Sequence, residues 1–244
     1  MEFFGFEKGR YRLRLSRALH DVAAAQALRG RCFRNGEPDA DTFDARCDHL
    51  LIEDIASGEL LACLRVMQVR GRDLETSYSG ARYDLSALEG LEGPFLELGR
   101  FCVAPDLRDP DILRLAWAGI TRLVDARGVR FLMGCSSFSG ADWRPVRDAL
   151  ALLAARHLLP KTRGVGKRAP ETLEYPALLG DTPFAPERAL QQMPPLLRSY
   201  LTMGGQVSDH AVIDRDLNTL HVFTLIETAT IPEARTRALR AVAG

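Results

Sequence analysis

The sequence predicts an α/β protein in which a mixed, twisted central sheet is flanked by helices. Strand and helix patterns alternate along the 244 residues, in the order strand, helix, hairpin, strand, helix, strand, helix and strand. Hydrophobic residues make up 46% of the chain and charged residues 26%, a balance typical of a globular protein with a buried core. We therefore expect a single domain over residues 1–244, with an insertion or flap at about 160–195.

Three local patterns predict the first elements. Residues 11–15 alternate polar and apolar side chains, as a half-buried strand does. The alanine-rich segment after Asp21 has apolar residues at helical spacing and predicts the first helix. Residues 35–41 are acidic and contain Gly36 and Pro38, which favour a loop.

The remaining elements follow from apolar runs bounded by turn residues and from amphipathic spacing. In chain order we predict strands 49–55 and 59–70 as a hairpin, an irregular segment 71–93, strand 95–103, helix 112–126, strand 129–134, a turn of small residues at 135–140, helix 143–155, helix 194–203, strand 221–226 and a helical tail 233–243. The segment 160–195 differs from its neighbours because it combines glycines, prolines and a basic stretch.

The composition argues against several classes of protein. Lys+Arg and Asp+Glu number 32 each, so no overall field attracts nucleic acid, and we expect no nucleic-acid partner. The five cysteines include no C-x-x-C pair, which argues against a zinc site, and we expect no metal. The sequence does not begin with a signal-peptide pattern, and no run approaches the roughly 20 apolar residues of a membrane span. We expect a cytoplasmic protein.

Charges inside an apolar strand are the first candidate catalytic feature. Glu97 and Arg100 lie within 95–103, and buried charges are costly unless they are paired or used. One interpretation is a structural ion pair or an edge strand. The other is that Glu97 accepts a proton from an attacking amine while Arg100 binds a carboxylate. In a regular strand the two residues would face opposite sides, unless a bulge intervenes.

Acidic residues before the hairpin are the second candidate feature. Asp41, Asp44 and Asp48 crowd a loop that leads into a strand. They could form a socket for an ammonium group, or a solvated loop in which Asp48 caps a turn. Arg29 ends the first helix, where the helix dipole alone explains an arginine.

The turn after strand 95–103 is a candidate phosphate site. It runs from Val103 through Arg108 into a helix, and the N–H groups at a helix N-terminus can bind the phosphate of a pantetheine arm. The turn lacks glycines, however, and Asp109 and Asp111 would repel a phosphate.

Small residues at 134–140 would let a ligand approach the backbone closely. We considered Cys135 and Ser136 as covalent nucleophiles. The sequence places no histidine to activate either side chain, because His157 lies beyond the next helix. We therefore expect a reaction without a covalent enzyme intermediate.

Four ordered segments carry a resemblance to a known family: FDARCDHLLIED at 43–54, LELGRFCVAPDLR at 96–108, GCSSFSGAD at 134–142 and PPLLRSYLTMGG at 194–205. Over about 11–227 the chain resembles the L-ornithine Nα-acyltransferases of ornithine lipid synthesis, a branch of the GNAT superfamily. It is more distantly similar to the acyl-homoserine-lactone synthases. Their Arg-x-x-x-Phe, Asp-x-x-Asp and Glu-x-x-Arg elements fall on Arg29 and Phe33, Asp41 and Asp44, and Glu97 and Arg100.

Two departures from these families concern substrate and donor binding. The synthases carry a tryptophan after the first helix, and residues 35–40 contain none. Ornithine-family members usually carry glycines after the arginine of the phosphate turn, where this chain has Asp109-Pro110-Asp111. The second departure fits a donor that is held mainly through its carrier protein.

The resemblance implies a GNAT fold and direct transfer of a 3-hydroxyacyl group from acyl carrier protein to the α-amine of L-ornithine, giving lyso-ornithine lipid. It implies Glu97 and Arg100 as the catalytic residues. Substrate would contact side chains of the acidic loop, the first helix and the small-residue segment, namely Arg29, Phe33, Asp41, Asp44, Asp48, Ser136, Ser137 and Phe138.

The resemblance also implies how the donor is held. No cofactor is expected, and acyl-4'-phosphopantetheine is a co-substrate on its carrier. Cys102, Val103 and Arg108 would bind the pantetheine arm. The basic residues Lys161, Arg163, Lys167 and Arg168 would dock the acidic carrier protein, with a solvated flexible loop as the alternative. The product is a lyso-lipid, so we expect the enzyme to act beside the inner membrane, with peripheral contact and no span.

Three alternatives stay open at this point. The acceptor could be another amine, such as glutamine or a homoserine-type amino acid. The chain could be a non-enzymatic, haemolysin-like membrane-active protein. It could also have kept the fold and lost donor binding, because of Asp109 and Asp111.

Overall fold

The structure, a computed structural model, describes residues 4–180 and 182–243. The strands in these residues are β1 (Gly5–Lys8), β2 (Tyr11–Ser16), β3 (Asp48–Asp54), β4 (Leu60–Val69), β5 (Tyr83–Asp84), β6 (Phe95–Val103), β7 (Phe131–Ser139), β8 (Gly166–Lys167), β9 (Thr172–Leu173), β10 (Gln206–Asp214) and β11 (Thr219–Glu227). The α-helices are α1 (Leu19–Phe33), α2 (Pro110–Arg127), α3 (Arg147–Arg156), α4 (Tyr175–Leu179), α5 (Pro186–Gln192), α6 (Pro195–Thr202) and α7 (Glu233–Ala243). None of the helices in the described residues is long and apolar enough to cross a membrane. The predicted α/β class is confirmed.

The chain forms two compact units. Unit 1 comprises the described residues up to Gln68, together with Leu96–Val129 and the chain from Glu233 onward. Unit 2 comprises Val69–Phe95 and the described part of Arg130–Pro232. The prediction of a single domain with a flap at 160–195 stays a prediction. That segment contains β8, β9, α4 and α5.

Unit 1 is built on the strand order β1-β2-β3-β4-β6, with β1 to β4 paired antiparallel in sequence. Helix α2 begins at the N-cap Asp109 with Pro110 in its first turn, and it ends at Gly128 in the left-handed conformation. The helix packs closely on β2 and β3. A Cβ added to Gly119 would lie 2.7 Å from Leu13 and 2.9 Å from Leu50, so glycine at this position permits the close approach.

Unit 2 is built on the strand order β7-β11-β10-β9, all paired antiparallel. Strands β7 and β11 pair along their whole length, from Phe131 opposite Glu227 to Ser139 opposite Thr219. Helix α3 packs on both α4 and α5, and α4 also contacts β10. The aromatic rings of Phe95 and Phe131 stack in this unit at 4.7 Å between centroids.

The small residues 135–140 do not form the predicted turn, and that prediction was wrong. Strand β7 continues through them to Ser139, and only Gly140, with a φ of 87°, leaves the strand. The physical reason is tertiary pairing. Strand β11 pairs with the segment from Cys135 to Ser139, with Ser136 opposite Val222, and this pairing overrides the weak strand preference of serine.

Five strands of the described residues were not predicted from the pattern: β1, β5, β8, β9 and β10. Strand β10 has Asp209 and His210 in its centre, and its register with β11 shifts between Val207 and Ala211, so apolar and polar residues do not alternate cleanly along it. Strand β1 is only four residues long, too short to show a period. The predicted strand 95–103 matches β6 at both ends and is confirmed.

Candidate active site

The end of helix α1 is shaped to receive the acidic loop that follows it. Asn35 and Gly36 have left-handed φ angles of 51° and 100°, and the Gly36 N–H donates to the Gly30 carbonyl at 3.0 Å, which ends the helix. The chain then returns so closely that a Cβ on Gly30 would stand 2.3 Å from the carbonyl oxygen of Glu37. Glycine at position 30 therefore lets the loop fold back and brings Asp39 to the helix.

Arg29 is the buried centre of this arrangement. Its side chain is 1% exposed, and Nη1 and Nη2 donate to the two carboxylate oxygens of Asp44 at 2.8 Å each. Its Nε lies 3.1 Å from Oδ2 of Asp39, and Nη2 also donates to the Asp39 carbonyl. A bidentate arginine–carboxylate pair is both strong and directional. Arg29 thus holds the acidic loop, residues 35–44, against α1. The helix dipole alone does not account for these contacts.

Two further arginines bind the same carboxylates from the sheet. Arg65 on β4 donates from Nη1 to Asp41 at 2.5 Å and to Asp44 at 3.1 Å. Arg100 on β6 donates from Nε to Asp39 at 2.9 Å, and its Nη2 lies 3.5 Å from Asp41. We call these residues the arginine–aspartate network: Arg29, Asp39, Asp41, Asp44, Arg65 and Arg100. Three positive and three negative charges balance within it.

Arg100 departs from β geometry. Its φ is 54°, in the left-handed region that residues with a Cβ seldom adopt. A residue of this kind interrupts the regular alternation of faces along a strand, as a bulge does. In a regular strand Glu97 and Arg100 would face opposite sides of the sheet, and only a bulge would change this. The structure has such an irregularity at Arg100 itself.

The three aspartates of the network differ in exposure. The side chains of Asp39 and Asp44 are 2% and 5% exposed, whereas that of Asp41 is 25% exposed. Burial raises the pKa of Asp39, but the charges of Arg100 and Arg29 outweigh burial and hold that pKa below its usual range. Burial likewise raises the pKa of Asp44, and hydrogen bonds led by Arg29 hold it well below the usual range. Asp41 is therefore the carboxylate of the network that solvent reaches most easily.

Glu97 lies on β6, close to this network, and is buried. The effect of Glu97 on the pKa of the Cys47 thiol indicates where its carboxylate lies. Burial raises the pKa of Cys47 to about 11, Arg65 opposes that rise, and Glu97 adds to it. Asp44 and Asp41 act on the same thiol in the same direction as Glu97. The carboxylate of Glu97 and the acidic loop therefore converge on one region of unit 1.

Two predicted substrate residues lie apart from the network. Asp48 accepts a hydrogen bond from Arg127 at 2.8 Å, and this contact joins β3 to α2. Asp48 also accepts a hydrogen bond from Arg17. Burial raises the pKa of Asp48, and the hydrogen bonds from these arginines lower it further than burial raises it. Phe33 is 37% exposed at the last residue of α1. Contact of either residue with substrate stays a prediction.

The predicted donor residues occupy the end of β6 and the turn after it. Cys102 is buried, and the Val103 carbonyl accepts a hydrogen bond from the Cys32 thiol at 3.4 Å. Arg108 is exposed and donates to the Pro105 carbonyl at 2.7 Å, within its own turn.

Asp109 serves as the N-cap of α2. Its carboxylate accepts from the Asp111 N–H at 2.9 Å and from the Tyr11 hydroxyl. These two hydrogen bonds, that from Tyr11 first, lower the pKa of Asp109. The first N–H groups of α2 thus already have a carboxylate beside them, and this supports the expectation that Asp109 disfavours a phosphate at the helix start.

The small-residue segment in unit 2 presents its side chains on alternate faces of β7. Ser136 and Phe138 are buried, and the Ser136 hydroxyl accepts from Thr224 at 2.9 Å. Ser137 lies opposite His221 and is exposed. Substrate binding by these three residues stays a prediction. Only Ser137 among them is open to solvent.

Three of the four predicted docking residues have acidic partners of their own. Arg163 pairs with Glu227 at 2.9 Å and Arg168 with Glu75 at 2.9 Å. Lys167 pairs with Glu174. Lys161, the fourth, is exposed.

Two members of the network, Arg65 and Asp39, are not among the residues predicted from the sequence. Arg65 stands in the apolar run of β4, where a charge is as unusual as Glu97 and Arg100 are in β6, so the same signal could have found it. Asp39 lies in the acidic loop, and nothing in the local sequence distinguishes it from its acidic neighbours. Only the return of the loop onto Gly30 gives it its role.

The chain is similar in sequence to known acyltransferases. An acetyltransferase (GNAT) domain model matches residues 26–118, which include all six residues of the network. An L-ornithine N(alpha)-acyltransferase of Rhodobacter capsulatus is 31% identical over 241 residues, covering 91% of this chain and 92% of the relative. An L-ornithine N(alpha)-acyltransferase of Brucella abortus is 32% identical, covering 89% of this chain and 84% of the relative.

A solved structure shows the same fold. It is that of FeeM, an N-acyl amino acid synthase from uncultured soil microbes, with a TM-score of 0.54 and 9% identity over 91% of this chain and 94% of the other. The similarity supports the fold alone at this identity. Together with the domain match it confirms the predicted GNAT fold.

Proposed function

Because the chain belongs to the L-ornithine N(alpha)-acyltransferase family, it is an acyltransferase, and we propose that it moves a 3-hydroxyacyl group from acyl carrier protein to the α-amine of L-ornithine. The observation that carries this proposal is the similarity to a relative of that name over 91% of this chain and 92% of the relative. The product would be lyso-ornithine lipid.

The network supports a positively charged acceptor. Ornithine carries two amines and one carboxylate, so its site needs an anion for the amine that does not react. Asp41 is the most exposed carboxylate of the network, and it is held by Arg65 at 2.5 Å. Arg100 would then organise the site, because it holds Asp39 and Asp41 in position. Its role would not be limited to binding the substrate carboxylate. Its left-handed backbone sets that direction.

Glu97 would act as the general base. An ammonium group cannot attack a thioester until it loses a proton, and Glu97 is a buried carboxylate close to the acidic loop. The amine would lose its proton to Glu97, directly or through a water, and attack the thioester carbonyl. A backbone N–H of β6 would stabilise the oxyanion, and the thiol of the pantetheine arm would leave.

The start of α2 favours a carrier-bound donor over free acyl-CoA. Asp109 occupies the helix start as its cap, and Pro110 has no N–H to offer a pyrophosphate. A carrier protein presents one phosphodiester and an acidic surface. The exposed lysines of 161–168 would meet that surface, because opposite charges speed encounter.

Reversing the charge of Lys161 and Lys167 to glutamate is expected to raise the apparent KM for acyl carrier protein by about tenfold at low salt. Steady-state kinetics over a range of salt concentrations measure this. The difference between variant and wild type should shrink above about 0.15 M salt, where charges further apart than about 8 Å are screened. Lys8→Glu, the control, reverses the charge of one exposed lysine on β1 and should leave the KM unaltered. Equal KM values in the two variants, or a preference for acyl-CoA over the carrier, would show that the donor assignment is wrong.

Lipid extracts of cells that express the chain test the function as a whole. We expect a new N-acyl ornithine, identified by mass spectrometry of its head group. A glutamine or homoserine-type head group would instead establish one of the alternative acceptors. Cells with the empty vector provide the control.

A further inference from the structure

Three thiols meet in unit 1 where α1, β4 and β6 pack together. The sulfurs of Cys63 and Cys102 lie 3.5 Å apart. Cys32 in the last turn of α1 packs against the apolar cluster that contains both thiols, and its own thiol donates to the carbonyl of Val103, the residue after Cys102, at 3.4 Å. The other two cysteines of the chain, Cys47 and Cys135, are not members of this cluster.

The three thiols differ in accessibility. Cys63 and Cys102 are 2% and 5% exposed, whereas Cys32 is only partly buried. The pKa of Cys32 is lowered to about 7, chiefly by the neighbouring Cys102 thiol and also by the charge of Arg31, against the opposing effect of burial. A thiol that is both reachable and partly ionised near neutral pH is the kind that oxidants attack first. Cys102, in the cluster against which Cys32 packs, has its pKa raised.

We propose that Cys32 and Cys102 form a reversible redox site, in which a hydroperoxide converts the two thiols to a disulfide. The Cys32 thiolate attacks the peroxide oxygen, giving a sulfenic acid and releasing hydroxide, or an alcohol from an organic peroxide. The Cys102 sulfur then attacks the sulfenic sulfur, and its proton leaves with the hydroxyl group as water. Two electrons pass from the thiols to the peroxide. A dithiol reductant reverses the change.

The disulfide would act on acyl transfer through β6. Its sulfurs must come within about 2 Å of each other, closer than two unbonded thiols in contact lie, so α1 and β6 must shift toward each other. Cys102 lies two residues after Arg100, and Arg29 lies one turn before Cys32. Both arginines belong to the network. Displacements near 1 Å in a catalytic arrangement can lower rates by about 10²-fold, so we expect oxidation to lower kcat at least tenfold, within that range.

The test uses the purified full chain treated with hydrogen peroxide, then alkylated and digested with trypsin. We expect a disulfide joining peptide 32–34 to peptide 101–108, and recovery of free thiols and of acyltransfer on adding dithiothreitol. Cys32→Ser should resist peroxide, because serine keeps a hydrogen bond to Val103 and cannot form the sulfenic acid. Cys135→Ser, a partly exposed cysteine of unit 2, should remain as sensitive as wild type.

The peptide map decides the proposal without reference to activity, so it does not depend on the proposed substrate. Peptides 32–34 and 101–108 recovered unlinked after oxidation would overturn it. A link from 101–108 to 47–65, which contains Cys63, would also overturn it, since Cys32 would not be the partner. Equal inactivation of Cys32→Ser and wild type would exclude a role for Cys32 in the loss of activity.

Discussion

Replacing Glu97 by glutamine is expected to lower kcat by about 10²–10⁴-fold, the range for removing a positioned proton acceptor. Glutamine has nearly the same shape as glutamate and cannot take the proton that the attacking amine must lose. Glu97 is buried on β6 and lies near the acidic loop, so the substitution removes a charge without opening a cavity. The measurement is steady-state turnover with ornithine and a 3-hydroxyacyl carrier protein.

Glu92→Gln is the matched control for this prediction, because it makes the same chemical change at an exposed position. It should retain wild-type turnover. Thermal unfolding of both variants checks that the fold is intact. Near-full activity in Glu97→Gln, at an unchanged melting temperature, would contradict the assignment of Glu97 as the base.

Replacing Arg29 by methionine is expected to destabilise the protein by about 3–5 kcal/mol. This is the usual cost of removing one partner of a buried ion pair, because the other charge stays buried without its partner. Arg29 is 1% exposed and binds Asp44 through two hydrogen bonds of 2.8 Å. Without it, Asp39 keeps Arg34 and Arg100 as partners. Asp44 keeps Arg65 and the uncharged Gln26. Urea unfolding monitored by circular dichroism measures the change in the free energy of unfolding.

Two variants sharpen this test. Arg29→Lys keeps the charge and loses the bidentate geometry, so its stability should lie between that of wild type and that of Arg29→Met. Arg114→Met removes a 68%-exposed arginine that pairs with Asp111, and it should change stability by no more than about 0.5 kcal/mol. A loss in Arg29→Met no larger than in Arg114→Met would show that the network does not hold the fold together.

The network also predicts how stability depends on pH. The pKa values of Asp39 and Asp44 are lower in the folded protein than the value of about 3.9 for an unfolded aspartate. Their contribution is therefore complete above the unfolded pKa and is lost as the pH falls through the folded values. Wild type should lose stability steeply below about pH 4, and Arg29→Met should lose less over the same interval. Parallel curves for the two proteins would contradict this origin of the stability.

The bounds of β6 could be predicted from the sequence, but the contacts of its charged residues could not. The apolar run at 95–103 matches β6, and the charges within that run make Glu97 and Arg100 candidate catalytic residues. The partners of Arg100 could not be predicted, because Asp39 reaches it only through the return of the loop at Gly30 and the left-handed backbone at Arg100. Contacts between residues far apart in the chain have no local signature.

The segment 135–140 shows the opposite failure. Glycine and serine have turn preferences, and these predicted a turn where β7 continues to Ser139. The turn preference of a few residues is worth less than pairing with a neighbouring strand over nine positions, from Phe131 to Ser139. Cys32, Cys63 and Cys102 lie far apart in sequence, and their meeting could likewise be read only from the packed structure.

The most direct test of the central claim uses purified protein with L-ornithine and 3-hydroxyacyl carrier protein, and identifies the product by tandem mass spectrometry. We predict one product, in which the acyl group is joined to the α-nitrogen and the δ-amine is free. Ornithine left unmodified while another amino acid is acylated, or no transfer from the carrier to any amine, would contradict the account.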